Sequence, residues 1–151
     1  MSLHTGDLIK TLLHGYKPIN MIGKREMYNP ESKLRNKDIL YKLTQENYPE
    51  LNEDLIITGC HSILVNSLKN NEKEEIIKLF DDIYVTDAKY RLPACIDINA
   101  NIYDKEGTFT IYHIALDNDY YYGNYGIYAN GLLVETCSKR TLKELSDMVI
   151  L

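Results

Sequence analysis

Short β-prone runs, each closed by Gly, Pro, Asn or Asp, leave this chain little choice but a mainly β fold. The strongest run is Thr108-Phe109-Thr110-Ile111-Tyr112-His113-Ile114-Ala115-Leu116, dense in β-branched and aromatic residues and read as the longest strand. Asp117-Asn118-Asp119 is expected to turn it back. Shorter strands are expected at Asp7–Leu13 and Ile19–Ile22 around a His14–Pro18 turn, and at Leu55–Ile57, Ile63–Val65, Ile83–Thr86 and Tyr90–Ile96. Three more follow at Tyr120–Tyr122, Gly126–Ala129 and Leu132–Glu135, the last two joined by Asn130-Gly131, a strong hairpin signal. Between Gly23 and Glu53 the chain is polar and irregular, with only Ile39–Leu43 offering a short element. Helical signals are sparse. Asn71–Phe80 reads either as a short amphipathic helix or as a solvated charged loop, and Thr141 with Glu144 forms a capping box that should open a short C-terminal helix ending the chain.

With 151 residues the chain is expected to form a single domain spanning 1–151, burying about 70% of its unfolded surface. A net charge of −5 argues against nucleic acid, because such binding draws on clustered Lys and Arg. The longest apolar runs fall far short of the roughly 20 residues needed to span a bilayer, so no membrane partner is expected. The first residues lack the basic and apolar regions of a signal peptide. Three cysteines, Cys60, Cys95 and Cys137, are an odd number without C-x-x-C spacing, which favours a reducing intracellular compartment over a disulfide scaffold or zinc site. No metal or other cofactor is expected. Thirteen Tyr against two Phe and no Trp means that many rings must pack with their hydroxyls bonded or facing water.

The segment between the Leu55–Ile57 and Ile63–Val65 runs carries the chemistry. Thr58 and His61 form T-x-x-H in a tight loop, a spacing at which a hydroxyl and an imidazole can converge on one peptide group and hand it a proton near neutral pH. Leu55-Ile56-Ile57-Thr58-Gly59-Cys60-His61-Ser62-Ile63-Leu64-Val65 resembles the T-x-x-H block of the Hint family, shared by inteins and the autoprocessing domain of Hedgehog proteins. Ile111–Asp117 followed by Tyr125-Gly126-Ile127-Tyr128-Ala129-Asn130-Gly131-Leu132-Leu133-Val134 is similar to that family's closing strands and NG turn. Ser2-Leu3-His4-Thr5-Gly6-Asp7-Leu8-Ile9-Lys10-Thr11 is similar to its opening strand, C-x-x-x-G-T-x-I-x-T. These stretches cover roughly half the chain, in the family's order. The T-G-x-H-S-I-L-V and Y-A-N-G-L-L-V-E-T-C stretches also resemble Hint domains of large DNA viruses.

The resemblance implies a Hint-like horseshoe of β strands in which the chain ends and the T-x-x-H loop meet. It implies autocatalytic processing of the domain's own N-terminal peptide bond, with the upstream polypeptide segment as substrate. Ser2 occupies the nucleophile position, where the family normally has Cys. Its hydroxyl supports an N-to-O acyl shift in place of the N-to-S shift, but it is far less ionised and less nucleophilic than a thiol. With only Met1 ahead of Ser2, the chain is expected to be a trimmed product or a form whose Cys has been replaced. Thr58 would hold the strained amide, and His61 would protonate the departing amine. His113 is either a proton carrier or a packed strand histidine, and Cys137 either a second nucleophile or a small buried thiol at a strand end.

Departures from the family narrow the reaction. Val134-Glu135-Thr136-Cys137 lacks the His-Asn pair that ends inteins, which disfavours splicing. Only 14 residues follow Cys137, so sterol transfer is not expected and there is no room for an inserted endonuclease. Cys60 is expected to point away from Thr58 and His61 and to pack, and Cys95 to lie in the core. A different class of function is a noncatalytic binding module on the same scaffold, contacting protein through Tyr120–Tyr128. A third is a cysteine hydrolase pairing Cys60 with His61 or Cys137 with His113, weakened because adjacent side chains rarely face each other.

Overall fold

In the computed structural model, which describes residues 3–118 and 120–151, strand far outweighs helix, 40% against 12%, and one sheet curls into a half-barrel. The strands are β1 (Leu8–Lys10), β2 (Tyr16–Asn29), β3 (Leu40–Leu43), β4 (Leu55–Thr58), β5 (Ser62–Val65), β6 (Val85–Thr86), β7 (Lys89–Pro93), β8 (Asn101–Ile102), β9 (Gly107–Leu116), β10 (Gly126–Ala129), β11 (Leu132–Glu135) and β12 (Val149–Ile150). Helix α1 (Asn70–Phe80) follows β5, so the charged stretch at 71–80 is helical. It buries Ile76 against Leu68 and Leu92, while Glu72 accepts the Lys69 N–H at 2.8 Å and closes the first turn.

The long pair β2–β9 is the spine. It runs in antiparallel register from Ile19 opposite Leu116 to Asn29 opposite Gly107, with a bulge between Ile19 and Met21. β1 and β12 flank β2. A second sheet is ordered β10-β11-β5-β7-β6, and a third β4-β3-β8. Ile19 and Ile22 from the first sheet, Ile63 and Val134 from the second, and Tyr41, Leu43 and Ile57 from the third meet in one buried core.

Several expectations are corrected. The irregular stretch expected from Gly23 begins only after Asn29, because β2 runs on to that residue, supported along its length by β9; beyond it the chain is irregular up to Glu53 apart from β3, as expected. The turn expected at His14–Pro18 is shorter, because β2 already begins at Tyr16 and Pro18 lies within it opposite Leu8, next to the Ile19 N–H that reaches the Asp7 carbonyl at 2.9 Å. Tyr120–Tyr122 is not a strand; the Asn118 side chain accepts the Tyr120 N–H at 2.7 Å and the chain turns again at Gly123. Asp119, part of the expected turn after β9, lies outside the described residues. Tyr90–Ile96 keeps strand geometry only to Pro93. At the C-terminus, Thr141–Leu145 is a single π-helical turn rather than a chain-ending helix, and the Ser138 hydroxyl, not Thr141, accepts the first free N–H. The chain then pairs β12 with β2, Ile150 opposite Gly23.

The tyrosines divide as the composition requires. Buried Tyr41 and Tyr48 bond through their hydroxyls to the Asn36 carbonyl and the Asp97 carboxylate, at 2.8 and 2.7 Å. Tyr16, Tyr120 and Tyr122 face water. Asn130 and Gly131 take positive φ angles of 49° and 93° in the β10–β11 hairpin.

Candidate functional site

The T-x-x-H segment is a corner between sheets. β4 ends at Thr58 in the third sheet and β5 begins at Ser62 in the second, so the loop turns the chain from one layer into the other. The His61 N–H donates to the Thr58 carbonyl at 3.1 Å and closes the corner. Gly59 is required by space, since a Cβ there would lie 2.8 Å from the Lys37 carbonyl oxygen.

The chain after β7 braces this corner from beneath. The Ala94 and Cys95 N–H groups donate to the carbonyls of His61 and Gly59. Arg35 fixes that brace in turn: its guanidinium, stacked 4.9 Å over the Tyr41 ring, donates to the carbonyls of Ala94, Cys95, Asp97 and Ala100. Cys95 is buried, as expected. Cys60 points its thiol at the Lys37 carbonyl, 3.6 Å away, but it is exposed rather than packed.

Two distant strands complete the site. His113, in the middle of β9 opposite Gly23, stacks on His61 with ring centroids 5.3 Å apart and planes within 16°. Val134 on β11 pairs with Ile63 on β5, which carries the end of β11 past the corner. There the Glu135 carbonyl lies 2.9 Å from His61 Nε2. A carbonyl oxygen only accepts, so Nε2 carries the proton and, in the neutral ring, Nδ1 holds the free lone pair. Cys137, just beyond β11, puts its Sγ 3.5 Å from His113 Nδ1.

Arg91, Ser62 and Asn124 were not singled out from the sequence, and Glu135 only as part of the departing Val134-Glu135-Thr136-Cys137 stretch. Arg91 on β7 pairs with the Glu135 carboxylate at 3.0 Å, and the side chains of Ser62 and Asn124 hydrogen-bond to the same carboxylate. The available signal was a pair of opposite charges on strands otherwise rich in buried apolar residues, where an unpaired charge would be costly.

Burial holds the two imidazoles and the Cys137 thiol neutral. Burial pushes the His61 imidazole below its ordinary pKa, partly offset by the bond to Glu135. His113 falls to about 4, through burial first and then the neighbouring His61 and Arg25. Burial, reinforced by Glu135, raises the Cys137 thiol to about 12. Burial also raises the Glu135 carboxyl, against the pull of Arg91.

Thr58, His61, His113, Glu135, Thr136 and Cys137 form a wall shared by two cavities. One, of about 420 Å³, is roofed by the C-terminal segment with Leu142 and Met148 and edged by Arg25 and Arg91. The other, of about 590 Å³, is mostly apolar and lined by Leu3, Ile9, Leu55, Phe109 and Ile127. Four of the five residues expected at the site are therefore together: Thr58, His61, His113 and Cys137. The fifth, Ser2, lies outside the described residues. Among the described residues no group of three or more His, Cys, Asp or Glu is arranged to hold a metal ion, and no helix is long and apolar enough to cross a membrane. No protein-family model matches the chain, and neither a curated protein nor a solved structure matches it.

Proposed function

We propose that the chain is a Hint-like self-processing domain acting once on the peptide bond ahead of residue 2. One observation carries this reading: Leu3, the neighbour of Ser2, lines the same cavity as Thr58, His61 and His113. The cavity that Leu3 lines thus also presents a hydroxyl and an imidazole whose proton inventory suits an acyl shift, which supports the reading.

In this mechanism the side-chain oxygen of Ser2 attacks the carbonyl carbon before it, a C–O bond forms and the C–N bond breaks. The free lone pair on His61 Nδ1 takes the hydroxyl proton and returns it to the departing nitrogen, which becomes the new amine. The Glu135 carbonyl, accepting from Nε2, stabilises the transient imidazolium. Thr58 holds the strained amide. The resulting ester is cleaved by water or a second nucleophile, which releases the upstream segment.

The test is intact-mass spectrometry on a partner protein joined directly ahead of residue 2, as Ser2 and as Ser2→Cys, with and without dithiothreitol. The Cys form is expected to shed its partner under thiol, and His61→Ala to stop it. Two folded fusions that both stay intact would overturn the proposal in favour of a noncatalytic binding module.

A further inference from the structure

The self-processing reaction needs His61 and Thr58, but it leaves unexplained why a thiol and a second imidazole meet on the same wall. Cys137 and His113 come from different elements, the end of β11 and the middle of β9, so sequence adjacency does not account for their 3.5 Å contact. Of the three cysteines, Cys95 is buried in the core and Cys60 bonds to a backbone carbonyl at the surface. Cys137 alone combines an imidazole partner with the apolar cavity. That cavity, at about 590 Å³, falls within the roughly 300–1,000 Å³ of small-molecule sites. Leu3, Ile9, Leu55, Phe109 and Ile127 line it, and the Cys137–His113 pair stands at its polar wall.

From this geometry we propose that Cys137 and His113 form a nucleophile–base pair that accepts an acyl group from a thioester with an apolar chain, the chain lying in the 590 Å³ cavity. The inference stands apart from the self-processing reading, because it needs neither Ser2 nor an upstream segment. A neutral thiol donating to His113 Nδ1 leaves His113 as the Nε2–H tautomer. As the donor's carbonyl carbon approaches, the Sγ–C bond forms and the donor's C–S bond breaks. The thiol proton passes to His113 Nδ1 and then to the departing thiolate. The products are S-acyl-Cys137 and the donor's free thiol. Both groups are neutral beforehand, so the proton leaves Sγ only as the new bond forms.

The experiment treats the chain as it stands with S-octanoyl- or S-acetyl-N-acetylcysteamine, quenches in acid over a time course, and locates the adduct by intact mass and peptide mapping. An octanoyl adduct on Cys137 is expected, forming at least about tenfold faster than the acetyl adduct because the longer chain buries more methylenes. His113→Gln should slow it by about 100-fold with the far-UV circular dichroism unchanged. Cys137→Ser should remove the adduct from the 137 peptide. The proposal is overturned if the folded protein gains no adduct, if the adduct sits only on exposed Cys60, if the two chain lengths react equally, or if His113→Gln reacts at the original rate.

Discussion

Acidification should weaken this fold through His113, by an amount that follows from its surroundings. The ring, on β9 opposite Gly23 of β2, is mostly buried, stacks on His61 and lies near Arg25, and its pKa falls from the ordinary 6.5 to about 4. A histidine with a depressed folded-state pKa contributes stability fully above the unfolded value. That stability is lost as pH falls from about 6.5 towards about 4, because the unfolded chain binds the proton first. The full difference, about 2.5 pKa units, corresponds to about 3 kcal/mol, of which about 2 kcal/mol disappears between about pH 7 and about pH 5. His61, also depressed, adds in the same direction. Glu135 acts oppositely, since its raised carboxyl pKa makes the folded state the better proton binder in acid. Urea unfolding of the wild type and of His113→Gln at both pH values isolates the contribution of this ring. Glutamine can still accept from the Cys137 thiol but does not titrate, so the variant should lose about 2 kcal/mol less than the wild type on acidification. Parallel losses in the two proteins would refute the argument and mean that His113 is solvated.

Three further outcomes follow from the scaffold. Arg35→Lys should cost about 2–4 kcal/mol in urea unfolding, because an ammonium cannot serve four carbonyls in the guanidinium's plane and the brace under the T-x-x-H corner is left short of donors. Gly131→Ala should cost a similar amount, about 2–4 kcal/mol, and lower the thermal midpoint: φ there is 93° and the new Cβ would lie 2.4 Å from the Glu50 carbonyl oxygen. Glu135→Gln should cost about 1–2 kcal/mol by unpairing Arg91 in a partly buried setting, yet leave His61 as the Nε2–H tautomer, since the bond to His61 comes from the backbone; nitrogen-15 NMR of the imidazole distinguishes the tautomers.

What the sequence made legible was local. The β9 run, the Asn130-Gly131 hairpin and the T-x-x-H corner each declare themselves within a few neighbouring residues, and each stands where expected. The continuation of β2 past Gly23 did not, because Lys24, Arg25 and Glu26 carry no apolar alternation; their strand is imposed by the β9 residues across from them. The closing β12 was hidden for the same reason: two residues acquire strand geometry only by pairing with β2.

The site divides along the same line. Thr58 and His61 share one corner, so their spacing alone suggested convergence. The objection that neighbouring Cys and His rarely face each other holds for Cys60, which turns to Lys37, but not for Cys137 and His113, which are far apart in sequence and meet only in the folded chain. Glu135 marks the limit of reading from residue types. Its side chain reads only as a departure from what the resemblance implies. Its contribution to His61 is instead a backbone carbonyl, which any residue there would offer, while the carboxylate anchors that strand end to Arg91 and Ser62. The side chain therefore reports how position 135 is held, and what that position offers His61 follows from the register of β11 on β5.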